Sequence, residues 1–310
     1  MGLSVPHASL CQILKGFPKD SQDKPLLTRF APAPTGLLHP GHILSALYVW
    51  GVADVLGARV LLRIEDHDSG RSRPEYERAI LEDLAWLGFI PDQLLTRQSD
   101  HPERYTSALE GLQAKGHHIY HCACSRRSIR AAMPPGTNPG AGLRYGGTCR
   151  HKGLTGDGTG LRIVLQEQQM AFADLLLGEQ QQIPARQCGD LLIRERSGDW
   201  TYQFAVTIDD AVDGINLVVR GQDLTASTGR QLQLAAMAGY SRPIHWLHHP
   251  LMMDGQGHKL SKSTRAESIA GRREQGEDPA ALLGSIAREA GLWSGTGPLP
   301  AARAGDLFRS

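Results

Sequence analysis

Apolar positions in the first part of the chain follow the periods of a strand, a helix and a second strand. Residues 26–30 and 60–64 are short apolar runs that predict buried strands. Between them, residues 41–56 repeat apolar positions with a helical period, and Gly57 is placed to end that helix. This order predicts a βαβ unit, whose right-handed crossover implies a parallel sheet that binds ligands at the carboxyl ends of its strands.

The rest of the chain continues to alternate helical and strand patterns. Helical periods predict helices over 74–87, 101–115, 224–238 and 279–290. Apolar runs predict strands over 161–165, 190–194 and 215–220. Residues 199–210 are expected to form the far side of a hairpin that returns towards the sheet.

These elements predict an α/β fold in which one Rossmann-like parallel-sheet domain is split into two halves. The halves are expected over 26–116 and 190–265, with an insertion over 117–189. Residues 1–25 show no clear period and are expected to be an N-terminal extension. Residues 266–310 are expected to be a short helical C-terminal segment.

The composition excludes some classes of partner but does not identify one. A net charge of +1 over 310 residues gives no global field that attracts nucleic acid, so any RNA contact must come from local basic patches. The longest apolar runs are too short to span a bilayer, and the first 25 residues lack the apolar core of a signal peptide. We therefore expect a cytoplasmic protein with no membrane segment.

Two separate stretches carry residues suited to binding phosphate. After the first predicted strand, prolines prevent regular structure, and His39 and His42 flank Gly41 at the predicted helix start. Far along the chain, Lys259 and Lys262 offer two ammonium groups in a glycine-flanked loop. Either stretch alone is typical of an ordinary turn or a solvated loop. Together they indicate a clamp for a triphosphate.

The two stretches, in this order and a domain's length apart, resemble the signature motifs of class I aminoacyl-tRNA synthetases, His39-Pro-Gly-His42 the first and Lys259-Leu-Ser-Lys-Ser263 the second. Arg29-Phe-Ala-Pro, Arg63-Ile-Glu-Asp66 and Val219-Arg-Gly221 narrow the resemblance to the glutamyl branch. The resemblance implies a Rossmann-type catalytic domain that activates an amino acid with ATP and Mg²⁺. It gives catalytic roles to His39, His42, Lys259 and Lys262, and ATP binding to His39, Gly41, His42 and Lys262.

A glutamate pocket follows from the same resemblance and from the charges present. Glutamate has two carboxylates, which forked arginine bonds from Arg29 and Arg220 could hold, and an ammonium that Glu65 could hold. Tyr202 adds a hydroxyl. The resemblance places these amino-acid-site residues: Arg29, Phe30, Ala31, Pro32, Ala33, Glu65, Tyr202 and Arg220. Ala33 stands where the family commonly has serine, so one hydroxyl contact is missing.

Three of the five cysteines cluster within a short span and predict a metal site. Cys122, Cys124 and Cys149 supply three thiolates, whereas structural zinc takes four ligands in a tetrahedron. The fourth could come from His121, His151 or Tyr145, and ligand statistics favour a histidine. Alternatively, the cysteines are three reduced, packed thiols.

The glutamyl-Q tRNA(Asp) synthetase family points to Tyr145 instead, because its members carry a Cys-x-Cys, Tyr-x-x-x-Cys arrangement that Cys122, Cys124, Tyr145 and Cys149 reproduce. The implied cofactor is one structural zinc ion. Basic residues around these ligands could grip RNA phosphates, although a solvated face explains them equally well: Arg126, Arg127, Arg130, Arg144, Arg150 and Lys152.

The expected acceptor also comes from the resemblance, which covers about residues 26–265. The stretch after Ser263 is too short for the anticodon-binding part of a full glutamyl-tRNA synthetase. In the glutamyl-Q tRNA(Asp) synthetase family, glutamate activated without tRNA is transferred to the queuosine base in the anticodon loop of tRNA(Asp). Three alternatives stay open: a truncated glutamyl-tRNA synthetase charging a 3′ end, a small-molecule nucleotidyltransferase, and a non-catalytic synthetase-like binding protein.

Overall fold

The computed structural model describes residues 7–17, 25–133, 143–253 and 267–309. Its strands in chain order are β1 Leu27–Phe30, β2 Arg59–Leu62, β3 Gln93–Leu94, β4 Ile119–Cys122, β5 Gly160–Ile163, β6 Met170–Asp174, β7 Gly178–Gln182, β8 Leu191–Arg194, β9 Leu217–Gly221 and β10 His245–His249. Its α-helices are α1 His7–Lys15, α2 Pro40–Leu56, α3 Pro74–Leu87, α4 Pro102–Ala114, α5 Arg126–Ala131, α6 Pro184–Cys188, α7 Tyr202–Val212, α8 Thr225–Ala238, α9 Ile269–Glu274 and α10 Pro279–Glu289. A 3₁₀ helix spans Ala301–Phe308.

The central layer consists of two sheets that meet at their edges. In one, β1 and β3 both run parallel to β2. In the other, the order is β7-β6-β10-β9, and β10 runs parallel to both β9 and β6. Two hydrogen bonds join them: the Leu27 amide donates to Oδ1 of Asn216 over 2.7 Å, and the Asn216 amide donates to the Leu27 carbonyl over 3.1 Å. The parallel βαβ prediction is confirmed.

A third sheet lies outside this layer and is antiparallel, in the order β4-β5-β8. Segment 117–189, predicted as an insertion, therefore contributes to two sheets: β4 and β5 form the antiparallel sheet, whereas β6 and β7 extend the edge of the central layer next to β10. β8, from the predicted second half, pairs with β5.

Helix α2 is buried around most of its circumference, as expected for a helix that is apolar on nearly every side. It packs between β9 and the 3₁₀ helix Ala301–Phe308. The close approach of α2 to this 3₁₀ helix needs a glycine at position 51, because a Cβ on Gly51 would clash with the Phe308 ring and would lie 2.6 Å from the Ala304 carbonyl oxygen. At the C-terminal end of α2, Gly57 adopts φ 68° and ends the helix as predicted.

The predicted helices over 74–87, 101–115, 224–238 and 279–290 are confirmed within one or two residues as α3, α4, α8 and α10. Among the helices of the described segments, none has both the length and the apolar character needed to cross a membrane.

The hairpin predicted over residues 199–210 is wrong. Only Trp200 pairs back, as a single bridge to Arg194, and α7 begins two residues later. Phe204 and Ile208 are four residues apart and both fully buried, which is helical spacing. The apolar content of this stretch therefore reflects a buried helix face.

The N-terminal stretch also contains an element that its pattern did not predict. α1 buries Leu10, Cys11 and Leu14, which pack with α2 and the 3₁₀ helix Ala301–Phe308. The helix is short and its apolar face small, so the period is too brief to stand out in the sequence.

Replacing Gly51 with alanine should lower stability even though alanine favours helix. We expect Gly51→Ala to lower the free energy of unfolding by about 1–3 kcal/mol because the new methyl group overpacks the contact with Phe308. Gly111→Ala in α4 is the matched control, since a Cβ there meets no atom within 4 Å, and it should raise stability by up to about 1 kcal/mol. Urea unfolding measures both. Equal effects of the two variants would contradict this packing.

Candidate active site

A cavity of about 370 Å³ opens where β1, β2 and β9 end, at their carboxyl edge. Every residue that the sequence assigned to the glutamate pocket lines it: Arg29, Phe30, Ala31, Pro32, Ala33, Glu65, Tyr202 and Arg220. The backbone explains this grouping. Beyond the regular pairing of β1 and β2, the Arg63 amide still donates to the Phe30 carbonyl and the Glu65 amide to the Pro32 carbonyl, both over 3.0 Å.

Arg220, the last but one residue of β9, is 5% exposed, and its hydrogen-bond partners among the described residues are uncharged. Its Nε donates to Nε2 of His248 over 3.0 Å, and Nη1 donates to Oε1 of Gln231 over 2.8 Å. Nη2 donates to Oγ1 of Thr228 over 2.8 Å and to the Leu224 carbonyl over 3.4 Å. Burial lowers the pKa of Arg220. In the described segments, this buried cation has no carboxylate partner.

His248 orients Arg220 through a second residue. Its Nδ1 lies 2.6 Å from Oδ2 of Asp174, and both side chains are fully buried. Burial lowers the pKa of His248, so the ring is neutral, with its proton on Nδ1 and its lone pair on Nε2 facing the arginine. Oδ1 of Asp174 accepts the amides of Leu176 and Leu177, both over 2.9 Å, which fixes the carboxylate.

Arg63, the residue after β2, is buried and surrounded by carboxylates. It is 1% exposed and donates to Glu65 over 3.0 Å, to Asp210 over 2.7 Å and to Asp213 over 3.1 Å. Burial alone would lower the pKa of Arg63, but the carboxylates outweigh burial and raise it. Glu65 is thereby fixed in the cavity by one of its oxygens.

Arg29 shares Asp210 with Arg63. Its Nε donates to both carboxylate oxygens of Asp210, over 3.1 and 3.2 Å. Burial opposes ionisation of Asp210, but the two arginines outweigh it and lower its pKa. Within the described segments the terminal nitrogens of Arg29 make no hydrogen bond, so the residue keeps donors for a ligand.

The first motif forms a reciprocal cap at the start of α2. The Gly41 amide donates to Nδ1 of His39, and the His39 amide donates to Nδ1 of His42, each over 3.1 Å. The two ring centroids lie 3.8 Å apart. Because each Nδ1 accepts a hydrogen bond, the proton of each neutral ring is on Nε2, which makes that nitrogen a donor.

A second cavity, of about 130 Å³, adjoins the first and shares His42, Ser45 and Gly221 with it. His39 and Gly41 also line it, so the described residues predicted to bind ATP lie together. Its wall includes His249, which the sequence reasoning missed. His249 stacks on Tyr48 with centroids 4.7 Å apart, its Nε2 lies 3.1 Å from Oγ of Ser45, and burial lowers its pKa to about 4.

The predicted residues Lys259 and Lys262 lie outside the described residues. The described residues on either side of their segment lie next to the first motif. Met252 lines the second cavity, and the Ile269 amide donates over 2.9 Å to the carbonyl of Leu38, the residue before His39.

The three clustered cysteines lie together, with all three sulfur atoms within 4.8 Å of one another. Sγ of Cys124 and Sγ of Cys149 are 3.6 Å apart, and Oη of Tyr145 is 3.4 Å from Sγ of Cys122 and 3.9 Å from Sγ of Cys124. A tetrahedral zinc ion with Zn–S distances of about 2.3 Å separates its sulfurs by about 3.8 Å. The cluster therefore has dimensions that suit such an ion.

Of the three alternatives for a fourth ligand, Tyr145 is the one placed with the thiols. His121 points away from the thiols. It neighbours Cys122 on β4 and so lies on the opposite face of the strand, where its Nδ1 is 2.6 Å from Oγ1 of Thr159. The basic residues predicted around these ligands differ in their surroundings. Arg150 pairs with Asp190 over 2.6 Å, whereas Arg126 is 88% exposed.

A polar cleft of about 490 Å³ shares His67 and Tyr202 with the cavity that Arg220 lines. Arg71, Arg126 and Arg196 line it. Sequence reasoning did not identify this cleft, because its walls come from the loop after β2, from the start of α5 and from the turn between β8 and α7. The loop and the turn meet where Oγ of Ser69 donates to Asp199 over 2.7 Å.

Comparison with known proteins agrees with this geometry. The model of the catalytic domain of class I tRNA synthetases (E and Q) matches residues 25–294. The chain belongs to this class I synthetase family. The enzyme is 37% identical over 272 residues to a glutamyl-Q tRNA(Asp) synthetase of Rhodobacter capsulatus, covering 82% of this chain and 97% of that protein. It is 40% identical over 275 residues to the protein of that name from Ralstonia nicotianae, covering 86% and 85%.

A solved structure of a glutamate tRNA ligase from Elizabethkingia meningosepticum, in complex with its amino acid, shares the fold of this synthetase with a TM-score of 0.70 at 24% identity. The match covers 93% of this chain and 64% of that one, so the synthetase spans less than two thirds of that structure's length. The α/β class I catalytic fold predicted from the sequence is confirmed, as is a synthetase-type ligase.

Removing the Arg63 charge should destabilise the synthetase strongly. Arg63→Met leaves Glu65, Asp210 and Asp213 buried without their shared cation, and we expect a loss of about 3–5 kcal/mol in the free energy of unfolding. Arg59→Met, at the exposed start of the same strand, is the control and should change it by less than about 0.5 kcal/mol. Chemical denaturation that gives similar values for both would contradict a central role for Arg63.

Proposed function

We propose that this synthetase activates L-glutamate with ATP and transfers the glutamyl group to the queuosine base of tRNA(Asp). The observation that carries the proposal is Arg220, a buried guanidinium whose described partners are all uncharged, in a cavity that also holds Glu65 and Tyr202. A buried charge without a counter-charge is costly. A ligand carboxylate supplies that counter-charge.

The cavity matches the three charges of glutamate. Arg220 and the terminal nitrogens of Arg29 receive carboxylate oxygens, and Glu65 receives the ammonium. Burial raises the pKa of Tyr202, which keeps its hydroxyl a neutral donor. Glutamine has an uncharged amide in place of the side-chain carboxylate, so it would leave one cation unmatched. This difference favours glutamate.

Activation needs alignment and donors rather than a protein nucleophile. A carboxylate oxygen of glutamate attacks the α-phosphorus of ATP, a new C–O–P link forms, and the bond to the pyrophosphate oxygen breaks. The Nε2–H groups of His39 and His42 face charge that builds on the phosphates, and Lys259 and Lys262 are proposed to complete this set, with Mg²⁺ bound to the nucleotide. Shared walls at His42 and Gly221 place the two cavities side by side for this attack.

The acceptor is proposed from the relatives and from the adjoining cleft. Relatives that match most of this chain are named glutamyl-Q tRNA(Asp) synthetase. The polar cleft next to Tyr202 balances three arginines with three carboxylates, and its polar walls suit hydrogen bonds to the bases of a nucleic-acid loop that brings a hydroxyl to the activated carboxyl group. Activation is proposed not to require tRNA, because this is what the resemblance to the glutamyl-Q tRNA(Asp) synthetase family implies.

We also propose one structural zinc ion on Cys122, Cys124, Cys149 and Tyr145. Four protein ligands leave no coordination position for water or substrate, so the ion would fix the loop between β4 and β5 and take no part in the reaction.

Loss of either charged anchor should abolish activation. We expect Arg220→Gln and Glu65→Gln each to lower glutamate-dependent exchange of pyrophosphate into ATP by at least about a hundredfold, because each removes a charge matched to the substrate. Arg59→Gln, outside the cavity, should retain the activity. Near-normal exchange in either anchor variant would remove that residue from the pocket.

The acceptor can be tested separately from activation. Purified protein with ATP and labelled glutamate should transfer label to tRNA(Asp) that contains queuosine, including tRNA(Asp) that lacks its 3′-terminal adenosine. It should not label tRNA(Asp) that has guanosine in place of queuosine, and it should not label tRNA(Glu). Label on tRNA(Glu) alone would favour a truncated glutamyl-tRNA synthetase, and exchange that does not depend on glutamate would favour a small-molecule nucleotidyltransferase.

A further inference from the structure

Arg162, in β5, is a buried cation that contacts two members of the cysteine and tyrosine cluster. It is 6% exposed. Its Nε donates to Sγ of Cys122 over 3.3 Å, and its guanidinium carbon lies 3.8 Å from the ring centroid of Tyr145. Nη1 donates to the carbonyl oxygen of Asp190 over 2.8 Å.

No carboxylate in the described segments neutralises Arg162. Asp190, the acidic residue that Arg162 contacts, accepts from it through its backbone carbonyl. The carboxylate of Asp190 is occupied by Arg150, over 2.6 and 3.0 Å, and by the Tyr120 hydroxyl. The contacts of Arg162 are therefore a thiol, an aromatic face and a neutral carbonyl.

A metal centre on this cluster would supply the missing negative charge. Three thiolates around a divalent cation carry a net charge of −1, and a phenolate as fourth ligand makes it −2. A guanidinium that donates to one thiolate and covers the face of the phenol ring offsets one of these charges where solvent cannot.

We propose that Arg162 is the charge-balancing and positioning residue of this metal centre. The proposal rests on the zinc proposed above. Arg162 holds Sγ of Cys122 by its N–H group and holds the Tyr145 ring by stacking. The other side of Tyr145 is fixed through its backbone, where Gly189 at φ 68° approaches so closely that a Cβ would lie 1.8 Å from the Tyr145 carbonyl oxygen.

The full chain tests this by zinc affinity, measured by competition with a chromophoric chelator. Residues that support metal ligands typically change affinity by 10–100-fold, and we expect Arg162→Met to weaken zinc binding by about that factor. Arg194→Met is the matched control: Arg194 lies on the neighbouring strand β8, with its guanidinium carbon 5.2 Å from the Trp200 ring centroid, and its loss should leave zinc affinity unchanged.

A second variant keeps the test decisive if Arg162→Met does not fold. Arg162→Lys retains the charge, but one ammonium cannot both donate to Cys122 and cover the ring of Tyr145, so affinity should fall by roughly tenfold. Cobalt substitution adds a spectroscopic check, because the thiolate charge-transfer band should change in Arg162→Lys and not in Arg194→Met. Wild-type affinity and spectrum in Arg162→Lys would overturn the proposal. Metal-free wild-type protein that does not take up zinc would overturn the zinc site itself.

Discussion

The structure depends on burying several arginines at the carboxyl ends of the parallel strands β1, β2 and β9 in the central layer. A guanidinium there is stable only if its environment supplies compensating charge or hydrogen bonds. For Arg63, three carboxylates do so: Asp210 in α7, Asp213 just after that helix, and Glu65 just beyond β2. The packing of α7 against the end of β2 is thus also an electrostatic requirement of the cavity.

Arg220 has the opposite surroundings, because none of its described partners is a carboxylate. Its four described partners are uncharged, and a buried hydrogen bond between His248 and Asp174 orients it through a neutral imidazole. The fold therefore neutralises Arg63 internally, and we propose that a ligand neutralises Arg220. The same logic applies at the cysteine cluster, where Arg162 faces thiols and an aromatic ring. In both places the proposed ligand supplies the negative charge that the described neighbours lack.

The sequence predicted the local features well and the long-range partners poorly. The periods of α3, α4, α8 and α10 and the end of α2 at Gly57 are local properties, and family resemblance brought the cavity residues together. Asp210 was missed because its role appears only when α7 meets β1 and β2, whose partners lie far away in sequence. The assignment of 199–210 to a hairpin had hidden that helix, although two adjacent aspartates on an otherwise apolar helical face are a usable signal for buried charge pairing.

The most direct test is a crystal structure of the protein with L-glutamate and a non-hydrolysable ATP analogue. The account predicts a glutamate carboxylate within hydrogen-bonding distance of the Arg220 guanidinium, the ammonium beside Glu65, and the triphosphate against His39 and His42. Glutamate bound elsewhere, or bound in the cavity with no carboxylate near Arg220, would contradict it.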